Sequence, residues 1–296
     1  MNFDIEMRFS VVIPTHNRLS TLRQCLTAVL EQAYPDNEVI VVDDGSTDDT
    51  EVIILCEFPT VHYFRQENAG PAAARNRGIA AATSDIIAFT DDDCLPPSDW
   101  LARLAEGFRR YPNITGVGGP LLAPASVRAT NILARYEEYV VRALYGACDD
   151  EVVGGYSCPA GGTNNMAYRR DALQAIGGFD PAFPYPAAED ADLKWRLAQT
   201  GAQFLYTPVV VTHLQPYTWP AFRRQQFVRG KGRVYFDRKW NRTPSRLIVV
   251  LRFARGLLRL LARLPALPEL ALFRPAVEEL WFHSLGQWAA ITEVRR

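Results

Sequence analysis

Ser84-Asp-Ile-Ile-Ala-Phe-Thr-Asp-Asp-Asp93 decides how the rest of the chain is read. The run Ile86–Phe89 is short, continuous and uncharged, which predicts a strand buried on both faces. It leads straight into Asp91, Asp92 and Asp93. Adjacent carboxylates repel one another and lose hydration when enclosed, so they need either open water or a counter-charge. A solvated acidic turn meets the first condition. A hard divalent cation, which takes oxygen ligands and commonly also binds substrate phosphates, meets the second.

Upstream, the same grammar recurs. Phe9–Ile13 reads as a strand stopped by Pro14, and Thr15, His16, Asn17 and Arg18 follow as a polar loop. Leu22, Cys25, Leu26, Val29 and Leu30 share one helical face, with Ser20 or Thr21 available as the cap. Val39–Val42 is a second buried strand, closed by Asp43, Asp44, Gly45, Ser46 and Thr47, and Val61–Phe64 a third. An Ala-rich helix over 72–82 carries Arg75. Strands that are apolar throughout, alternating with helices, predict an α/β fold: a doubly wound, mostly parallel central sheet with helices on both faces. Ligands of such sheets sit outside the carboxyl ends of the strands, so the three polar clusters should converge on one crevice. No GxGxxG follows the first strand, which argues against a dinucleotide-dependent dehydrogenase.

Downstream the signals are shorter. Helices are expected over 99–108, 131–144 and 171–176, and strands over 115–118, 164–169, 204–206 and 209–211. Glu189 and Asp190 open a helix over 191–199. Acidic residues are favoured there by the helix dipole alone, and a His after a strand, such as His213, is more often structural than a ligand.

Six stretches come in an order that resembles family 2 glycosyltransferases: Ser10–Arg18 (SVVIPTHNR), Val42–Asp48 (VDDGSTD), Asn68–Asn76 (NAGPAAARN), the acidic triplet, Gly162–Arg170 (GTNNMAYRR) and Glu189–Leu193 (EDADL). The resemblance spans about residues 9–213. It implies the GT-A fold and inverting transfer of a sugar from a nucleotide-diphosphate sugar; the tail after about residue 235 is not covered, and its own helical pattern adds a C-terminal helical extension. By that resemblance Pro14 and Thr15 line the base and ribose pocket, with Asn17 beside them. Asp44, with Asp43, hydrogen-bonds the base, and Arg75 lies near the donor. Asp91 and Asp93 are the ends of a DxD motif, with Asp92 as its spacer on the donor side. Asp93, Asp91 and His213 would hold Mg2+ or Mn2+. The loop of Gly161, Gly162, Thr163, Asn164 and Asn165 lies beneath donor and acceptor. Asp190, with Glu189 beside it, matches the catalytic base. A fourth position that is often Asp in the family is Cys94 here. The chemistry agrees with the residues. A single in-line displacement needs one base, and a diphosphate leaving group needs positive charge, so two separate acidic clusters suit it.

The net charge of -1 hides an asymmetry: residues 1–222 carry 16 Lys+Arg against 28 Asp+Glu, and residues 223–296 carry 16 against 5. The basic part suggests an anionic partner, or simply neutralises the acidic part. Nothing points to nucleic acid. The five cysteines form no CxxC pair, the N-terminus lacks a signal-peptide pattern, and no uncharged apolar stretch is long enough to span a membrane. A cytoplasmic protein, peripheral at most on the cytoplasmic face, is expected. Gln226-Phe-Val-Arg229 is similar to the QxxR of processive members, but Gly230 stands where they carry Trp, which favours a non-processive enzyme. Arg229 and Lys231 are candidates to close over the diphosphate, or are surface charge. Over residues 246–264, Arg252, Arg255, Arg259 and Arg263 form one helical stripe among leucines. This suits an anionic membrane interface, packing on the same domain, or a homodimer contact.

The expected plan is a glycosyltransferase domain over 1–222, with a nucleotide-sugar half (1–98) and an acceptor half (99–222), then a basic helical extension (223–296). The donor would be UDP-, GDP- or dTDP-linked and the acceptor a glycan or lipid-linked hydroxyl. A nucleotidyltransferase is the enzymatic alternative. It would carry a glycine-rich phosphate loop, and Val12–Leu19 has no glycine. A non-catalytic nucleotide-sugar-binding scaffold is the other, and it would have lost one of the acidic clusters.

Overall fold

Every residue of Phe9–Thr15 is buried, so layers must cover both faces of the strand it forms. The computed structural model describes residues 7–35, 37–145 and 150–293. In chain order the elements are β1 (Phe9–Thr15), α1 (Leu19–Leu30), β2 (Asn37–Asp43), α2 (Thr50–Glu57), β3 (His62–Arg65), α3 (Pro71–Ala81), β4 (Ile86–Phe89), β5 (Cys94–Leu95), α4 (Trp100–Arg110), β6 (Gly116–Gly118) and β7 (Leu121–Leu122). Then follow α5 (Ala125–Thr130), α6 (Ile132–Tyr145), β8 (Val152–Gly154), β9 (Met166–Arg169), α7 (Arg170–Ala175), α8 (Glu189–Gln199), β10 (Phe204–Tyr206), β11 (Val211–His213), α9 (Trp219–Lys239), α10 (Arg246–Ala262) and α11 (Phe273–Glu293).

The main sheet has the order β3-β2-β1-β4-β9-β6-β10-β8. Strands β3, β2, β1 and β4 are parallel to one another, as are β6 and β10, while β9 runs antiparallel between β4 and β6, and β8 antiparallel to β10. The two faces separate by the period of two along each strand. Val11, Ile13, Val39, Val41, Ile86 and Ala88 pack with α1 and α4, while Val12, Ile40, Val42, Ile87 and Phe89 pack with α3 and α8. Each valine, isoleucine or phenylalanine among them, once enclosed, contributes roughly 1.5–3 kcal/mol, and Ala88 less. Because Phe9 stands opposite both Asn37 and Ile86, β1 and β2 end level at Thr15 and Asp43, while β4 ends earlier, at Phe89 opposite Val12. A second sheet, β5-β11-β7, sets Cys94 opposite His213.

The helix cap differs from expectation. Ser20 and Thr21 lie inside α1, and Arg18 occupies the cap position without a side-chain cap bond. The first free amide, Leu19 N–H, faces Asp48 Oδ2 at 3.4 Å, so a side chain from the loop after β2 stands in for a local cap. The strand expected at 209–211 lies two residues later, at Val211–His213.

The chain forms two compact units, residues 1–122, 141–181 and 190–214 in the first, and 123–140, 182–189 and 215–296 in the second. The sheets belong to the first. In the second, α9 and α11 cross at glycines. A methyl group on Gly230 would overlap the carbonyl oxygen of His283, and one on Gly286 that of Phe227. The departure from the processive motif at Gly230 is thus a helix-crossing point. Tyr136 donates to Glu279 at 2.5 Å and Asn131 to the Tyr217 carbonyl at 2.8 Å, tying α6 and the residues before it to later parts of the chain.

Candidate active site

The loops after β1, β2 and β4 meet at one edge of the first unit. Thr15 ends β1 and donates from Oγ1 to Asp92 Oδ2 at 2.8 Å. Its carbonyl accepts from Asp44 N–H at 2.9 Å, stitching the first loop to the second. Asn17, with φ 54, takes the left-handed conformation that asparagine tolerates. Its side chain accepts from Thr47 N–H at 2.7 Å, and its own N–H donates to Ser46 Oγ at 2.9 Å. The Asp43 carboxylate accepts from Ser46 N–H at 2.7 Å and from the Tyr63 hydroxyl at 2.5 Å. Asp44 accepts from Gln66 Nε2, Ala69 N–H and Gly70 N–H at 2.8, 2.9 and 2.8 Å, so it organises the loop that starts α3.

The triplet is divided among distinct partners. Asp91 Oδ1 accepts from Arg75 Nη2 at 2.8 Å; Arg75 is buried and stacks over Phe179. Arg18 Nη1 lies between Asp92 and Asp93, 3.2 Å from the first and 2.6 Å from the second. Asp93 Oδ1 is 3.4 Å from His213 Nε2. The partners set the titration. Burial, only partly offset by Arg18 and Thr15, pushes the Asp92 carboxyl up to about 6. Burial also acts to raise Asp93, but His213 and Arg18 together hold it below the ordinary carboxylate range. Burial and the neighbouring carboxylates keep the Cys94 thiol well above its usual value.

A divalent cation fits this end through the Asp93 carboxylate and the His213 ring, while the Cys94 thiol beside them stays protonated and is no ligand for a hard cation. Ligand atoms of Asp93, Cys94 and His213 all lie within 4.8 Å of one another, and no other such group occurs among the described residues. Asp91 is turned to Arg75 rather than to His213. Asp92, expected as a spacer, is the member bonded to both Thr15 and Arg18.

The loop of Gly161, Gly162, Thr163, Asn164 and Asn165 is pinned from below. Asn165 accepts from Trp100 Nε1 at 2.9 Å and donates to the carbonyls of Pro120 and Val209 at 3.0 and 2.7 Å. The Asn164 carbonyl accepts from Thr90 Oγ1 at 3.2 Å, joining this loop to the residue before the triplet. Asp190 lies in the first turn of α8, its Oδ1 accepting from Ala191 N–H at 2.7 Å. Its charge acts on two neighbours. Burial and then the Asp190 anion raise the Tyr168 phenol, which Arg75 pulls back down. Burial lowers the Lys194 ammonium, which Cys158 and Asp190 pull back up. Glu189 is buried beside it in sequence, and the preceding Ala188 has φ 72, an unusual value for alanine. Arg229 and Lys231 lie on α9 in the second unit, where Lys231 pairs with Glu293 at 2.6 Å and lies over the Tyr185 ring.

Arg18, Tyr63 and Lys194 are site residues that sequence reasoning left unassigned. Arg18 stands inside a quoted motif, but nothing in its type or spacing tells that its side chain folds back onto the triplet. Tyr63 and Lys194 carry no sequence signal beyond being polar groups within a strand and a helix.

Residues 10–177 match the model of glycosyl transferase family 2. A pre-mycofactocin glycosyltransferase of Mycobacterium tuberculosis is 34% identical over 214 residues, covering 68% of this chain and 41% of that one. The chain therefore spans less than half the length of that relative. Glycosyltransferase AglE of Haloferax volcanii is 30% identical over 241 residues, covering 76% of this chain and 72% of that one. Among solved structures, a mannosyltransferase from Pyrobaculum calidifontis, in complex with GDP-Man and Mn2+, superposes with a TM-score of 0.69 at 20% identity, over 98% of this chain and 88% of that one. GalNAc-T7 with UDP, GalNAc and Mn2+ gives 0.55 at 18% identity, over 79% and 50%. Sheet, helices and crevice define a GT-A fold with a C-terminal helical region. The chain belongs to glycosyl transferase family 2.

Proposed function

We propose that the protein is a metal-assisted, inverting glycosyltransferase. It moves a sugar from a nucleoside-diphosphate sugar to a glycan or lipid-linked hydroxyl, one transfer per encounter, in the cytoplasm. The observation that carries this reading is the meeting of an acidic triplet, of which Asp92 and Asp93 are buried, two arginines and His213 beyond the C-terminal ends of β1, β2 and β4. The GDP-Man and Mn2+ bound by the Pyrobaculum mannosyltransferase support the donor class and the metal.

Pro14, Thr15 and Asn17 receive the base and ribose, with Asp43 and Asp44 shaping that pocket. Arg75 acts near the donor phosphates. Asp93, with His213 and Asp91, would hold Mg2+ or Mn2+, which when bound neutralises charge developing on the leaving diphosphate. Asp190, with Glu189 beside it, takes the proton of the acceptor hydroxyl, and the loop at Gly161–Asn165 supports the reacting groups. In this reading residues 1–98 bind donor, 99–222 bind acceptor and carry the base, and 223–296 are an accessory extension.

The test is transfer from UDP-, GDP- and dTDP-sugars with and without Mn2+, reading nucleotide release and the anomeric configuration of the product by NMR. Metal-dependent release with inverted configuration is expected. Retained configuration, or turnover indifferent to chelator, would overturn the mechanism. Asp190→Asn should lower turnover by about 10²–10⁴-fold while donor still binds. Near-normal turnover in that variant would remove Asp190 as the base.

A further inference from the structure

The arginine stripe singled out in the sequence lies on α10, beside an apolar strip that the second unit leaves open to solvent. One side of α10 is occupied. Val249 is buried, Phe253 stacks edge-on against Trp281 of α11 at 5.6 Å, and Gly256 sits under Leu280. At 100° per residue the opposite side carries Leu247, Val250, Leu251, Leu258 and Leu261. These are 67%, 49%, 45%, 66% and 45% exposed. Arg252, Arg255, Arg259 and Arg263 run alongside this strip, and all four are exposed. Arg252 is 3.7 Å from Asp237; the other three make no ion pair among the described residues. On α11, Trp281, Leu285 and Trp288 are exposed at i, i+4 and i+7, and Trp281 touches α10 through Phe253.

A contiguous row of exposed leucines calls for a cover. The charge pattern selects which. α10 has no acidic residue, so a second copy laid on the same strip would meet arginines with arginines. Nearby acids are already engaged, Glu278 by Arg223 and Arg274, Glu293 by Lys231, and Asp237 by Arg233. No helix among the described residues is long and apolar enough to cross a membrane. An apolar strip flanked by arginines with tryptophans close by suits a surface that is apolar below and anionic above.

We infer that α10 lies in the interface of an anionic lipid bilayer, its leucine strip among the acyl chains and Arg255, Arg259 and Arg263 at the headgroup phosphates. This inference does not depend on the glycosyl-transfer reading, because its readout is binding and not turnover.

Flotation of the full chain with phosphatidylcholine vesicles, with and without phosphatidylglycerol, tests it. Binding is expected to the anionic vesicles at low salt and to weaken as salt rises. Arg255→Gln with Arg259→Gln should weaken binding roughly ten-fold or more. Leu251→Glu with Leu258→Glu should abolish it while circular dichroism and the unfolding temperature stay unchanged, since both side chains are exposed. Three results would overturn the inference. One is no flotation at low salt. Another is flotation that both double variants retain. The third is sedimentation of a dimer that the leucine variant converts to monomer, which would assign the strip to a second copy.

Discussion

A single guanidinium nitrogen, Arg18 Nη1, stands between two carboxylates that face one another at the crevice. Asp92 is the more enclosed of the two, and its carboxyl, pushed up to about 6 by burial, is held ionised at some cost above that pH. The sign follows from linkage. The folded state holds this proton more tightly than the unfolded chain, so stability is greatest below the ordinary value of 3.8 and falls as pH rises through about 6. Asp92→Asn keeps an acceptor for Thr15 without the charge. In metal-free protein at pH 7.5 it should be more stable than wild type, by on the order of 1–3 kcal/mol, in denaturant titrations. Asp93→Ala should instead abolish Mn2+ binding in calorimetry and lower stability near neutral pH, because the carboxylate that His213 and Arg18 hold below its ordinary range favours the folded state. If Asp92→Asn loses the metal equally, the two carboxylates are not separable in this way. The triplet was legible as an acidic site because it ends an apolar run. Its division among Thr15, Arg75, Arg18 and His213 was not, because those partners lie between 16 and 120 positions away and are chosen by the sheet register.

Helix α9 shows why some elements escape a sequence reading. Its 21 residues mix arginines, lysines and aromatics on every side and include Gly230 and Gly232, so no apolar stripe marks it. The stripe is missing because neighbours reach more than one of its sides: Gln226, Gly230, Gly232, Val234, Phe236 and Asp237 are all buried. Where α9 crosses α11 the backbones touch, so Gly286→Ala, which adds one methyl, should cost about 3 kcal/mol or more and lower the unfolding temperature measured by circular dichroism. Close by, burial followed by Arg229 and Arg233 lowers His283 from 6.5 to about 4. A depressed folded value means that the neutral ring favours folding above pH 6.5, and that this contribution is lost as pH falls toward 4. Between those limits wild type should lose about 3 kcal/mol more than His283→Gln. Parallel denaturant titrations of the two proteins, overlapping at every pH, would show that His283 titrates normally.

At the scale of the whole molecule, the parallel half of the sheet could be read from strand–helix alternation, since β1, β2 and β4 each announce themselves by an apolar run and β3 by its aromatic pair Tyr63 and Phe64. In the later half β6, β9 and β10 were legible as short strands, but β8 and the strand order were not. Strands β6, β8 and β10 have three residues each, and their order depends on pairing between distant stretches, Phe204 with Gly154 and with Gly116, for which local composition carries no mark. The basic tail read as a separate extension for a similar reason: charge changes sign near residue 222, but compactness does not. The second unit draws on three stretches, 123–140, 182–189 and 215–296. A chain ended at residue 222 would keep the first two without α9 and α11, and Tyr136 would lose Glu279. Such a truncation should be recovered mostly as aggregate, and a soluble, cooperatively melting product would contradict this. The tail is therefore not a cassette. Swapping it for that of a relative would require replacing the two earlier stretches with it, so any change of acceptor or surface inherited through this region has to arise in three places of one gene at once.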